Sequence, residues 1–150
     1  MYFVDREKIE KTLRFLETQN SLFETLTVSE AMVPGSVSAL ATERISQTMI
    51  DSVLDIGNAM IDGFIMRDPG SFEDIIDILE DERVVTNDMA VSFKGTIPLR
   101  KMLIQDYAEL SLEALLTGMK TALPAFQKYP ASIRSYLINE LGPVSAFKSE

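Results

Sequence analysis

The segment TERISQTMIDSVLDIGNAMIDGF, residues 42–64, decides the fold class of this 150-residue chain. Its apolar residues recur at steps of three and four, the spacing that places side chains on one face of an α-helix. That face carries Ile45, Met49, Val53, Ile56, Met60 and Phe64. Four further apolar residues, Ile50, Leu54, Ile61 and Ile65, widen the surface. The pattern predicts a helix from about Val37 to Met66 that contacts neighbours on more than one side.

Helical patterns flank this segment on both sides. Before it, an apolar stripe predicts a helix from about Val4 to Leu26, with Asn20 as its polar member. Pro34 and Gly35 separate that helix from the next. After it, Ser71 can cap a short acidic helix, FEDIIDILEDE, with Asp74 completing only part of a capping box.

The last third of the chain is also helical in pattern, with interruptions. A fourth helix is expected after Thr86, interrupted at Gly95 and Pro98 and restarted from Thr96. A final helical region from Leu110 to Leu141 is expected to break at two places, Leu123–Pro124 and Tyr129–Pro130. We therefore predict an all-α, antiparallel bundle of four to five main helices, forming one domain over residues 1–150.

Composition restricts the chemistry that this chain can perform. It contains neither cysteine nor histidine, which removes thiol nucleophiles, thiolate metal sites and the usual general base near neutral pH. We expect no cofactor and no metal. The N-terminus becomes charged at once, unlike a signal peptide, and no stretch has the roughly 20 apolar residues of a membrane span. A cytoplasmic protein without membrane contact is expected.

The net charge of −9 is unevenly distributed along the chain. Residues 1–93 carry 7 basic and 18 acidic side chains, whereas residues 94–150 carry 7 and 5. An acidic protein repels nucleic acid in general, so composition argues mildly against a dedicated nucleic-acid binder. If RNA binds, the prediction places it near the basic side chains of the C-terminal part, Lys94, Arg100, Lys101, Lys128 and Arg134.

The motif RKMLIQDY, residues 100–107, lies in this C-terminal part. On a continuous helix Arg100 and Tyr107 would share a face, while Gln105 would point away by roughly 140°. The three side chains can converge only if the helix ends near Gln105 or if two protomers contribute. In the alternative without function, Arg100 and Gln105 are solvated and Tyr107 is a buried aromatic at a helix end.

The order of these segments resembles the HepT-like branch (DUF86) of the HEPN superfamily. The resemblance rests on residues 42–64, on LRKMLIQDY and on the closing LINELGPVSAF, and it covers nearly the whole chain. It implies an all-α homodimer with a metal-independent endoribonuclease site at the dimer interface. It also implies a toxin–antitoxin pair, in which a minimal nucleotidyltransferase antitoxin can adenylylate the motif tyrosine.

The family motif is Arg, four to six residues, His, one residue and Tyr. By position Arg100 matches the Arg and Tyr107 matches the Tyr, which makes Tyr107 the candidate for adenylylation, whereas Gln105 stands in place of the His. An amide does not titrate and cannot transfer a proton. Loss of such a group costs about 10²- to 10⁴-fold in rate, so we expect impaired RNA cleavage in this chain.

Two alternatives remain open from the sequence. The chain can be a non-catalytic interaction or substrate-binding subunit that partners a nucleotidyltransferase. Independently of the motif, a stripe of polar residues can line a groove or a metal site, although a solvated helix face explains it equally well. The stripe consists of Asp51, Asp55, Asn58 and Asp62.

Overall fold

The computed structural model describes residues 2–142, and within this range the fold is all-α. Five helices follow one another: α1 (Arg6–Ser29), α2 (Val37–Gly63), α3 (Phe72–Asp81), α4 (Asn87–Ile104) and α5 (Leu112–Leu141), with a 3-10 turn at Tyr107–Glu109 before α5. The fold class predicted from the sequence is confirmed. No helix within residues 2–142 is long and apolar enough to cross a membrane.

Helix α2 is the centre of the bundle, because α1, α3, α4 and α5 all pack against it. Both of its predicted apolar faces are buried over most of their length, including Met49, Ile50 and Met60, but Ile65 lies beyond the end of the helix and is exposed. Gly57 admits α3 closely, since a Cβ at this position would lie 2.7 Å from Cγ2 of Ile75. The helix therefore has only one face left for solvent or a ligand.

The ends of the first helices follow the capping chemistry of the sequence. Side-chain oxygens of Asp5, Ser36 and Ser71 accept hydrogen bonds from the first turns of α1, α2 and α3. Helix α1 begins and ends two or three residues later than predicted, and α2 ends at Gly63 instead of Met66. Asn20 is buried, as its place on the stripe predicted, and its Nδ2 donates to the Phe126 carbonyl at 3.1 Å.

The predicted helix interruptions are wrong. Helix α4 continues through Gly95 and Pro98, and α5 continues through Pro124 and Pro130. Each proline removes one backbone donor, but the flanking side chains are held in the core and keep the helix in one piece. Thr96, Ala125 and Tyr129 are among these buried neighbours. The last residues of the closing LINELGPVSAF segment, 143–147, lie outside the described range.

The loop between α2 and α3 is fixed by a carboxylate. Asp74 accepts two hydrogen bonds from Arg67, both at 2.8 Å, and one from the Gly70 N–H at 2.9 Å. The Arg67 guanidinium, helped by Gly70, lowers the pKa of Asp74 to about 2. The loop therefore delivers Phe72, the first residue of α3, to a defined position.

Ile65 occupies a strained backbone conformation after α2. Its φ is +55°, in the left-handed region, and it stands where a Schellman motif usually has glycine. The motif is complete, because the Met66 N–H donates to Ile61 O at 2.9 Å and the Ile65 N–H to Asp62 O at 3.4 Å. A β-branched residue is especially unfavourable there.

We predict that Ile65→Gly stabilises the protein. Its side chain is 65% exposed and contributes little packing, so relief of the strain should dominate. The free energy of unfolding in urea should rise by about 1 kcal/mol. Arg83, at φ +60° in the same position after α3, is the matched control. Because arginine is not β-branched, Arg83→Gly should gain less, and an equal or smaller gain at Ile65 would contradict the explanation.

Candidate functional site

The motif Arg100–Tyr107 spans the end of α4. Gln105 caps the helix, and its N–H donates to the Lys101 carbonyl at 2.8 Å. The Asp106 N–H donates to the same carbonyl at 3.2 Å, and a 3-10 turn then begins at Tyr107. The helix thus ends where convergence of the three side chains requires it to end.

Arg100 is fixed between α2 and α3. Its Nε donates to Asp51 Oδ1 at 2.8 Å, and its guanidinium carbon lies 4.4 Å from the centroid of the Phe72 ring. The arginine side chain is only 23% exposed. Within residues 2–142 no hydrogen bond occupies Nη1 or Nη2 of Arg100. The grip therefore orients the guanidinium and leaves its outer edge available for an anion.

Close packing of α4 against α5 surrounds the residue that precedes Arg100. Gly118 of α5 faces the neighbouring Leu99, and a Cβ at Gly118 would lie 2.5 Å from Leu99 Cδ1. A larger residue at position 118 would force the Leu99 side chain to move. The packing next to Arg100 is therefore tight, while its guanidinium itself is held by Asp51 and Phe72.

Gln105 and Tyr107 lie at the surface beyond Arg100. Gln105 is exposed, and Tyr107 is 70% exposed. Among the described residues no hydrogen bond joins Arg100, Gln105 and Tyr107 to one another. The alternative in which the motif has no function predicted a solvated Arg100 and a buried Tyr107. Both predictions are wrong, because Tyr107 is exposed and Arg100 is held by Asp51 and Phe72. Within one protomer, Arg100 is held by residues of α2 and α3, while Gln105 and Tyr107 are exposed.

The acidic stripe on α2 divides into members with different surroundings. Asp51 is engaged by Arg100, whereas Asp55, one turn later, has a raised pKa, caused first by partial burial and then by the charge of Asp51. Both line a groove of about 390 Å³ between α1 and α2. In the described part of the chain, no group of three or more acidic residues is arranged to hold a metal ion.

Sequence reasoning missed the partners of Arg100. Asp51 is recognised only as a member of the stripe, and Phe72 only as part of an acidic helix. The ion pair joins residues 49 positions apart, so periodicity within either helix carries no sign of it. An arginine on one helix and a stripe of carboxylates on another is the only available hint.

This arrangement can bind a phosphate but supplies little proton transfer. Arg100 offers the two NH₂ groups of its guanidinium, and Tyr107 offers an exposed hydroxyl. Gln105 is polar and reachable but does not change its charge with pH. The geometry therefore allows Arg100 to bind an anion, whereas Gln105 carries no group that can transfer a proton.

Comparisons with known proteins identify the family and support the fold. The family model described as “Ribonuclease HepT-like” matches residues 6–133. The protein named “Putative RNase YutE” of Bacillus subtilis (strain 168) is 51% identical over 148 residues, covering 99% of this chain and 100% of that protein. A solved structure of YutE, described as a cytosolic protein of unknown function, has a TM-score of 0.90 at 50% identity, covering 98% of this chain and 100% of that one.

A more distant likeness extends the fold comparison. A tri-AMPylated HEPN toxin of Shewanella oneidensis, solved in complex with MNT antitoxin, has a TM-score of 0.75 at 16% identity. The match covers 85% of this chain and 96% of the toxin chain. At this identity the likeness concerns the fold alone.

Loss of the hydroxyl should lower the stability of the fold at Tyr129 but not at Tyr107. Tyr129 is fully buried and donates to the Val53 carbonyl at 3.0 Å, so Tyr129→Phe should lower the free energy of unfolding by about 1 kcal/mol. Tyr107→Phe should change it by less than about 0.5 kcal/mol, because the exposed hydroxyl supports no contact in the fold. Urea denaturation of both variants measures this. A destabilising Tyr107→Phe would give Tyr107 a structural role instead.

Proposed function

Because the chain belongs to the HepT-like ribonuclease family of HEPN proteins, we propose that it is the toxin component of a toxin–antitoxin pair with an impaired endoribonuclease site. The observation that carries the proposal is the fixed guanidinium of Arg100, whose outer edge is free, in a motif whose other members, Gln105 and Tyr107, are exposed. We infer one domain over residues 1–150, acting in the cytosol.

Cleavage of RNA at such a site needs three contributions. A base removes the 2′-hydroxyl proton, O2′ attacks the phosphorus, and the bond from phosphorus to the 5′ oxygen breaks as an acid protonates that oxygen. Positive charge stabilises the developing negative charge on the phosphate. We assign the charge to Arg100 and a hydrogen bond to Tyr107. Gln105 contributes polar contact but no proton transfer, which is the reason for the expected impairment.

We also infer that the protein works as a homodimer and pairs with a minimal nucleotidyltransferase. A dimer would supply the second copy of the motif that the family resemblance implies. Leu22 on α1 and Leu40 on α2 remain 47% and 54% exposed. These exposed apolar side chains are consistent with a surface that contacts a second copy of the chain.

The second candidate function is a non-catalytic subunit that binds the nucleotidyltransferase or its substrate. The absence of any histidine from the chain favours it, because no other side chain of that pKa can replace the missing group. RNA cleavage by a repaired site separates the two functions.

Gln105→His is expected to restore cleavage. It places a group with a pKa near roughly 6.5 next to an intact phosphate-binding arginine. Cleavage of a labelled RNA should rise by about 10²-fold or more over the natural sequence. Adding Arg100→Ala should abolish the gain, because the phosphate loses its charged donor. Gln127→His, which adds a histidine at an exposed position on α5, is the matched control and should have no effect. Background cleavage by a folded Gln105→His protein would favour the non-catalytic subunit.

Tyr107 is expected to accept AMP from a nucleotidyltransferase partner. Its exposed hydroxyl oxygen can attack the α-phosphorus of ATP, with pyrophosphate leaving and the phenol proton passing to a base of the transferase. Arg100 would then pair with the added phosphate. Mass spectrometry after incubation with the partner and ATP should locate the modification on Tyr107 and find none in Tyr107→Phe. Modification confined to other tyrosines would refute this assignment.

A further inference from the structure

The groove between α1 and α2 is lined by basic, aromatic and acidic side chains, a combination that the acidic composition of the chain does not indicate. Its walls include Lys11 and Phe15 from α1 and Arg44, Asp51 and Asp55 from α2. It measures about 390 Å³ and is open to solvent along its length. Neither the motif nor the family comparison assigns it a role.

Within residues 2–142, Lys11 and Arg44, the basic side chains that line this groove, form no ion pair, unlike several of the basic residues predicted to contact RNA. By contrast, Lys94 is paired with Asp77 at 2.8 Å, and Arg134 holds Glu10 and Glu17 at 2.8 and 2.9 Å. Two of the basic residues in the C-terminal part are therefore neutralised by their neighbours. The free positive charge on α1 and α2 lies within the part of the chain that is acidic overall.

An aromatic ring lines the same groove as these cations. Phe15 lines the groove and remains 45% exposed, although it lies on the helix that carries much of the core. Alternating cations and exposed aromatic rings are the means by which proteins bind single-stranded nucleic acid, with phosphates on the cations and bases stacked on the rings. Unpaired bases of RNA are recognised in this way.

Asp51 makes the groove continuous with the motif. It lines the groove and at the same time accepts the hydrogen bond of Arg100, so its negative charge is offset by the guanidinium. Asp55 is the remaining carboxylate, and its nearest opposing charges are those of Lys8 and Arg100. The charged side chains that line the groove, Lys11 and Arg44 against Asp51 and Asp55, balance one another. Lys8 and Arg100, whose charges act on Asp55 from outside this lining, add positive charge beside the groove.

We propose that the α1–α2 groove binds single-stranded RNA and leads it to the motif. Backbone phosphates contact Lys11 and Arg44, one base stacks on Phe15, and the phosphate to be cleaved reaches the free edge of Arg100. Asp51 acts as a positioning residue, since it orients Arg100 from the floor of the groove. This proposal rests on the proposed function and names the path of its substrate.

The test measures binding of a short fluorescein-labelled oligouridine by anisotropy over a series of salt concentrations. The double variant Lys11→Gln/Arg44→Gln should weaken binding by about tenfold and reduce the salt slope by about 1.4, because each contact with a single-strand phosphate contributes about 0.7. Lys120→Gln/Lys128→Gln removes the same charge from two exposed lysines of α5 and is the matched control. It should change binding less than twofold, which also tests the C-terminal alternative at Lys128.

The stacking contact has its own variant. Phe15→Leu keeps an apolar side chain and should leave the fold intact, but it removes the ring. Binding should weaken by about tenfold with an unchanged salt slope, because stacking releases no counterions. In the Gln105→His background, the groove variants should raise KM for RNA more than they lower kcat, as expected of residues that hold the substrate away from the reacting atoms.

Each outcome decides the proposal. Equal weakening by the groove pair and the α5 pair would mean that binding follows overall charge, and the groove would have no special role. Normal RNA binding and cleavage by groove variants would refute the groove while the proposed function stands. Failure of both the natural protein and Gln105→His to bind RNA would remove the proposed function together with the groove. Groove variants that turn a dimer into a monomer in sedimentation would make the groove a contact between copies, and would also overturn the proposal.

Discussion

Helix α2 must bury two apolar faces, and the other four helices are arranged to cover them. This demand leaves one polar face, which carries Arg44, Asp51 and Asp55. Because α1 borders that face on one side and α3 and α4 approach it on the other, residues far apart in sequence meet along it. The bundle core and the candidate site thus lie on different faces of α2.

The ion pair of Arg100 and Asp51 joins the motif to this face. Exposed ion pairs contribute little to stability, but this one is largely shielded and is backed by the Phe72 ring, so its main effect is orientation. A guanidinium held at Nε keeps both of its NH₂ groups for a ligand. The same pair offsets the charge of a carboxylate that lines the groove. Under the proposed function, a phosphate-binding arginine without a titrating partner is the combination expected of an impaired nuclease site.

The helical core was largely predictable from the sequence, whereas the continuity of α4 and α5 through their prolines was not. Spacing of three and four residues identified the stripes of α1 and α2, including buried Asn20, because a helix face repeats at that period whatever its neighbours are. Pro98, Pro124 and Pro130 predict breaks, since a proline alone disfavours a helix. The side chains around each proline are buried in contacts from other helices, and local rules do not include that stabilisation.

The sequence by itself determined the fold class, the position of the motif and the absence of a histidine, because periodicity, residue order and composition are local or additive properties. Only the tertiary structure decided which charges are free. Arg100 meets Asp51, Arg134 meets two glutamates of α1, and Lys11 and Arg44 form no ion pair in the part of the chain that is described. Electrostatic pairing depends on distance in space, and helices packed side by side bring together residues that no pattern along the chain connects.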